Sequence, residues 1–191
     1  MLDQTVNNDE IHIEGFSNEI YHSDHPSNIK VGGLCLFFRE GIPIKRRVDL
    51  ELLPEFIITK IKMGNKKVFF GAIYRSPSQN SEQFENFIDS LQQVIDKMKG
   101  ENPHCMILTG DLNCRSSMWW TEDIKQPEGN ALDELLETNG LYQLIDEPTN
   151  IRNKGSSCIG LIITDQPNIL IDYDVHPHWM STVSIKIFME N

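Results

Sequence analysis

The sequence predicts a mixed α/β fold, and three observations carry that prediction. Strand-like runs outnumber helical ones. Two consecutive alternating segments, 56–62 and 67–74, flank a Gly64-Asn65 turn and read as a β-hairpin. A long amphipathic segment then separates the hairpin from another apolar strand, as a helical crossover does.

The elements follow in order. Residues 1–30 are polar, rich in Asn, Asp, His and Ser, with a short apolar alternation at Ile11, Ile13 and Phe16. Val31-Gly32-Gly33-Leu34-Cys35-Leu36-Phe37-Phe38 is a continuous apolar run, which predicts a strand buried on both faces. After the hairpin, Phe84, Phe87, Ile88, Leu91, Ile95 and Met98 recur at three- and four-residue intervals. That spacing predicts a helix over 81–99, with Asn80 and Gln83 forming a capping box and Gly100 closing the end. Cys105 to Thr109 reads as a strand ending in Gly110-Asp111-Leu112-Asn113. A second helix is expected from Ala131 to Asn139, capped by Asn130 and stopped by Gly140. Ile159–Thr164 and Ile169–Tyr173 read as closing strands.

At 191 residues, 39% hydrophobic and 24% charged, the chain suits one domain with a sizeable core. Disorder, collagen-like repeats and disulfide-stapled miniproteins are poor readings of that composition. No apolar run approaches the ~20 residues of a membrane span, and polar, acidic Met1 to Glu10 is no secretory signal. Cys35, Cys105, Cys114 and Cys158 are widely spaced, which suits buried, reduced thiols in an intracellular protein, nuclear or cytoplasmic. A net charge of -11 argues against holding nucleic acid by bulk electrostatics. The one dense basic cluster, Lys45-Arg46-Arg47 with Lys60, Lys62, Lys66 and Lys67, fits a solvated strand edge at least as well as a phosphate track. Nothing in the sequence indicates an oligomer.

Two stretches hold residues that could do chemistry. Asp111 and Asn113 are two apart, so on an extended segment their side chains point the same way. A carboxylate beside an amide can orient a water, ligate a divalent cation and hydrogen-bond a phosphate oxygen. The same four residues also make an ordinary turn. Ala72-Ile73-Tyr74-Arg75-Ser76-Pro77 ends the hairpin's return strand and could present a phenol and a guanidinium to a phosphodiester; a half-buried aromatic beside a surface cation is the bland reading.

Taken together and in order, these stretches resemble the endonuclease/exonuclease/phosphatase superfamily. The resemblance is strongest to the apurinic-endonuclease-like domain that non-long-terminal-repeat retrotransposons encode ahead of their reverse transcriptase. It is carried by Gly32-Gly33-Leu34-Cys35-Leu36-Phe37, Tyr74-Arg75-Ser76-Pro77, Gly110-Asp111-Leu112-Asn113 with Trp119-Trp120, Leu144 to Asn150, and Ser157 to Thr164. It implies a deoxyribonuclease-like four-layer sandwich, two mixed β-sheets face to face with helices outside, over residues 1–177. It also implies an Mg²⁺- or Mn²⁺-dependent phosphodiesterase that nicks DNA. By the same resemblance Asp111 orients or deprotonates the attacking water and is the metal-ligand candidate. Asn113 holds Asp111 and the scissile phosphate, Tyr74 supports the transition state, and Arg75 with Trp119 or Trp120 lines the nucleic-acid groove. Thr149, Asn150 and Arg152 sit in a loop that could touch the DNA backbone, with a structural turn the preferred assignment.

The departures from the family are equally specific. Leu2-Asp3 resembles the end of the family's metal-binding Glu motif, which puts that Glu two residues before Met1, so the first strand is expected to be missing. Gly160 stands where the family has the Asp that supports its catalytic His. Residues 178–191 match nothing in the family. With codons chosen to suit, they re-read in another frame as a family-like continuation, which makes a frameshift the working explanation. Ser23-Asp24-His25-Pro26 imitates the family's terminal Ser-Asp-His motif but lies in an N-terminal polar loop. Three readings follow: a retrotransposon-type endonuclease domain with impaired catalysis, a non-catalytic pseudo-nuclease remnant, or a phosphatase or deadenylase branch of the superfamily.

Overall fold

The computed structural model describes residues 14–16, 21–23, 34–121, 123, 126–152, 155–168, 170–176 and 182–187, with the backbone alone for 21–23, 152, 170–176 and 182–187. The hairpin forms as β4 (Phe56–Met63) and β5 (Lys66–Ile73), antiparallel from Met63↔Lys66 to Phe56↔Ile73. Gly64 supplies the left-handed turn residue at φ +59°. Ile57, Ile58, Val68 and Phe69 are fully buried, so both faces of the hairpin are covered.

Helix α1 (Ser81–Gly100) carries its sequence logic intact. The Asn80 side chain accepts the Gln83 N–H at 2.9 Å, and Gln83 accepts the Asn80 N–H at 3.0 Å. Its buried stripe of Phe87, Leu91, Val94, Ile95 and Met98 meets the sheet, with Phe87 edge-on to Phe56 at 5.8 Å. Each such side chain contributes about 1.5–3 kcal/mol through burial. The C-terminal end differs from expectation. Gly100 stays within the helix, and Asn102 takes the left-handed conformation at φ +50°.

The crossover delivers β6 (Cys105–Asp111) parallel to β5. The main sheet has the order β3-β4-β5-β6-β10-β7, with β3 (Ile44–Arg46), β7 (Tyr142–Gln143) and β10 (Gly160–Thr164). Strand β10 runs antiparallel to β6, with Gly160 directly opposite Asp111. Helix α2 (Pro127–Asn139) begins four residues before the expected start, because Pro127 with its fixed φ occupies the first turn. Asn130, expected as the cap, is therefore inside the helix, and its N–H bonds Gln126 O at 3.0 Å. Gly140 closes α2 at φ +63°, as expected.

The opposite face of the sheet carries smaller elements. Strands β1 (Tyr21–Ser23) and β2 (Leu34–Leu36) pair and lie against β4 and β5, and Phe38 packs edge-on against Phe70 at 6.1 Å. The run around Leu34–Leu36 was expected to be buried on both faces; it is half-buried, since it forms a two-stranded ribbon laid on the sheet rather than a strand within it. Strands β8 (Asn150–Arg152) and β9 (Gly155–Ser157) make a short hairpin. Strands β11 (Leu170–His176) and β12 (Thr182–Ile187) pair antiparallel, and β12 touches β6. The class is mixed α/β as predicted, with sheet against sheet and helices outside. No helix of the described residues is long and apolar enough to cross a membrane. The Ser23-Asp24-His25-Pro26 stretch lies, apart from the Ser23 backbone, outside the described residues.

All four cysteines are free; Cys105, Cys114 and Cys158 are buried and Cys35 is half-buried. Burial pushes the Cys35, Cys105 and Cys114 thiols up to about 11 and Cys158 to about 12.

Three members of the basic cluster are paired with carboxylates within the fold. Arg46 pairs with Glu51 at 2.9 Å, Arg47 with Asp49 at 2.7 Å and with Glu101, and Lys60 with Glu101. Glu101, just past α1, thus staples the helix to β4. Lys60 first, then Arg47, holds its carboxyl below the usual glutamate range. Glu101→Gln is expected to cost about 1 kcal/mol at pH 7. Because the folded-state pKa is lowered, that stabilisation is complete above the unfolded value and fades as pH falls through the folded one. Urea midpoints of the two proteins should therefore converge below about pH 4.

Candidate functional site

The site forms where β5 and β6 end side by side. Gly110 lets this happen. At φ +145° it brings the chain so close to β5 that an added Cβ would sit 1.8 Å from the Ile73 carbonyl oxygen. The Arg75 N–H then bonds Asp111 O at 2.9 Å, and the Leu112 N–H bonds Ile159 O at 2.9 Å, so the loop is tied to both neighbours.

Strand alternation places Asp111, the last residue of β6, on the same face as Thr109 and Ala72, and Tyr74, just past β5, shares that face. The two groups feel each other. Burial first and the Asp111 carboxylate second raise the Tyr74 phenol above its ordinary range, with a smaller push from Glu55; a hydrogen bond from Ser76 and the Arg75 charge oppose them. The raised direction keeps the Tyr74 phenol protonated at neutral pH.

Asn113 does not continue the strand, as a shared extended segment with Asp111 would require. It adopts φ +50°, its N–H reaches Asp111 Oδ1 at 3.3 Å, and its Nδ2 donates to Arg75 O at 2.8 Å. Asparagine tolerates this conformation and bonds its own neighbourhood, as a turn residue does. Asp111, Asn113 and Tyr74 are therefore brought together by hydrogen bonding and sheet register rather than by period-two spacing.

Arg75 is only 4% exposed. Its Nε donates to Leu112 O and its Nη2 to Asn113 O, both at 2.6 Å, and its guanidinium lies over the Phe84 ring at 5.2 Å. The side chain expected in the nucleic-acid groove thus clamps the Gly-Asp-Leu-Asn loop. Trp119 and Trp120 are half-buried and packed against the core, with the Trp120 Nε1 inside the protein. Thr149 matches its structural assignment: buried, its hydroxyl accepts the Ile159 and Gly160 N–H groups at 3.0 and 2.7 Å and so positions the start of β10.

Two features were not singled out from the sequence. Glu55 faces Tyr74 across the hairpin, and the Tyr74 N–H bonds Glu55 O at 3.0 Å. Counting pairs outward from the Gly64-Asn65 turn would have found it. The second is an open cleft of about 500 Å³ beside Asn113, reaching Arg115 and the start of α2. No group of three or more His, Cys, Asp or Glu among the described residues could hold a metal ion. Asp111 alone does not make such a site.

Comparison with known proteins bears on this geometry. The family model described as endonuclease-reverse transcriptase matches residues 68–182, more than half of the chain and the β5–β10 framework apart from the first two residues of β5. Among solved structures, the endonuclease domain of TRAS1, a telomere-specific non-LTR retrotransposon, is similar with a TM-score of 0.73 and 18% identity, over 94% of this chain and 83% of that one. The apurinic endonuclease LMAP from Leishmania major is similar with a TM-score of 0.68 and 12% identity, over 90% and 69%. The 3′ phosphatase NExo from Neisseria, solved with a product DNA hairpin, has a TM-score of 0.61 and 16% identity, over 98% and 86%. No curated protein matches in sequence. At these identities the solved structures speak for the fold, and the family model speaks for descent. The chain belongs to the endonuclease-reverse transcriptase family, within the endonuclease/exonuclease/phosphatase superfamily.

Proposed function

We propose that this chain is a retrotransposon-type endonuclease domain directed at DNA phosphodiesters, and that its catalysis is impaired. The convergence of Tyr74, Asp111 and Asn113 at the ends of β5 and β6 carries the reading. In it, Asp111 orients and deprotonates a water that attacks phosphorus in line. The new bond forms from the water oxygen while the opposite P–O bond breaks. The Tyr74 hydroxyl donates to a phosphoryl oxygen as charge builds there, and Asn113 fixes Asp111 from below.

The impairment rests on what surrounds Asp111. Gly160, its direct cross-strand partner, offers no side chain to support a base. His104, the histidine whose side chain is described, sits just before β6. That is the far end of a strand about 20 Å long. Members of the family are generally metal-dependent, but the described donor set does not fit an ion, so no step here runs through Mg²⁺ or Mn²⁺. Groups that act as a unit lose several orders of magnitude in rate when one is missing.

Plasmid nicking with Mg²⁺ or Mn²⁺, alongside a gel-shift assay for DNA binding, tests both parts. Wild type and Asp111→Ala should both leave the plasmid supercoiled while wild type binds duplex DNA. Nicking that vanishes in Asp111→Ala would overturn the impairment, and absence of binding would overturn the DNA reading. The NExo similarity, which spans 98% of this chain, supports a second reading, hydrolysis of a terminal 3′ phosphate. A 3′-phosphorylated hairpin in the same assay separates the two.

A further inference from the structure

We infer that the cleft beside Asn113 is a subsite for a second backbone phosphate of the bound DNA strand, and that Arg115 is its ligand. This rests on the DNA-directed reading above. The cleft shares Arg75 and Asn113 with the candidate site, so a strand whose phosphodiester lies at Asp111 continues into it. Two guanidinium groups, Arg75 and Arg115, face one carboxylate, Glu128, along its walls. In a chain of net charge -11, the lining itself carries one more cation than anion, with the buried Asp123 4.0 Å from Arg115. Arg75 is already engaged by the Leu112 and Asn113 carbonyls and contributes a fixed, buried charge. Arg115 is different. Its side chain is 40% exposed, and its Nε stands 4.0 Å from Asp123 Oδ1, beyond hydrogen-bond reach. Its planar fork suits two phosphate oxygens.

The backbone under Arg115 is held for this task. Gly129 of α2 presses so closely on it that an added Cβ would fall 1.9 Å from Arg115 O. The neighbouring Ser116 hydroxyl donates to Asp133 Oδ2 at 2.6 Å and accepts the Met118 N–H at 3.2 Å. The Arg115 side chain therefore stands on a firmly packed backbone two residues past Asn113, which limits the ordering cost of binding. The start of α2 lies on the same wall, and Gln126 makes no side-chain cap there, so the positive end of the helix adds to the field.

The test is the salt dependence of binding to a fluorescein-labelled DNA oligonucleotide, measured by anisotropy. Arg115→Gln should weaken binding about fivefold and flatten the log K against log salt slope by about 0.7–0.9, the loss of one phosphate contact. Arg115→Lys should restore the slope. Lys62→Gln, an exposed charge at the other end of the sheet, should change neither. Equal slopes for wild type and Arg115→Gln would overturn the subsite while leaving the DNA reading standing. Wild type that shows no salt-dependent binding would overturn both. Inorganic phosphate that protects Arg115 from phenylglyoxal when DNA does not would reassign the cleft to a free anion and overturn the assignment. Melting curves for each variant confirm that the folded protein is being compared.

Discussion

Gly110→Ala is expected to remove the folded state, or to cost it at least about 4 kcal/mol. Two independent faults arise at one position. The φ of +145° is one that alanine rarely adopts, and the new methyl would meet the Ile73 carbonyl oxygen at 1.8 Å. That oxygen belongs to a buried strand and has no flexible end that could yield. Relief requires β5 and β6 to part where Ile73 and Gly110 sit side by side, beside Tyr74, Arg75 and Asp111. Gly100→Ala is the matched control. It lies in the last turn of α1 with nothing within 4 Å of an added Cβ, so it should stabilise by roughly 0.5–1 kcal/mol. Urea denaturation followed by tryptophan fluorescence reads both, and a Gly110→Ala midpoint near wild type would contradict the close approach.

Arg75→Ala is expected to cost about 3 kcal/mol and to loosen the Asp111–Asn113 loop. Two carbonyl oxygens, of Leu112 and Asn113, lose charged donors in a buried setting, and Phe84 loses the cation over its ring. Arg75→Lys should recover only part of this, because one ammonium on a flexible stem does not reproduce the fork that spans both oxygens. Hydrogen exchange at the Asn113 amide, bonded to Asp111 Oδ1 at 3.3 Å, separates loop loosening from global unfolding. Faster exchange there, at denaturant concentrations where α1 remains protected, is the expected signature. Unchanged exchange would mean that the carbonyls have other donors once Arg75 is gone.

Local signals carried much of the fold. The Gly64-Asn65 turn set the hairpin register, and the capping box with its apolar stripe set the start and face of α1. Where sequence reading erred, a distant contact decided. Gly100 looked like a helix stop, but Lys60 and Arg47 gather Glu101 beyond it, and the turn falls at Asn102. The start of α2 was set by Pro127 and by Gly129 against Arg115, both outside the apolar periodicity that defined the expected helix. The candidate site shows the same division. The Gly-Asp-Leu-Asn stretch was legible as the end of a strand and the turn that follows it. That Arg75 would turn inward to clamp it was not, because its acceptors lie 37 and 38 residues away along the chain. The same holds for Gly160 opposite Asp111, since antiparallel register between β6 and β10 leaves no trace in either strand alone.

The four free cysteines carry a practical consequence. With their thiols held at about 11 to 12, the folded molecule presents almost no thiolate at neutral pH. Thiolate is the form that peroxide and alkylating reagents attack. Oxidation or alkylation of these thiols therefore proceeds through molecules that have transiently opened, and its rate follows conformational stability.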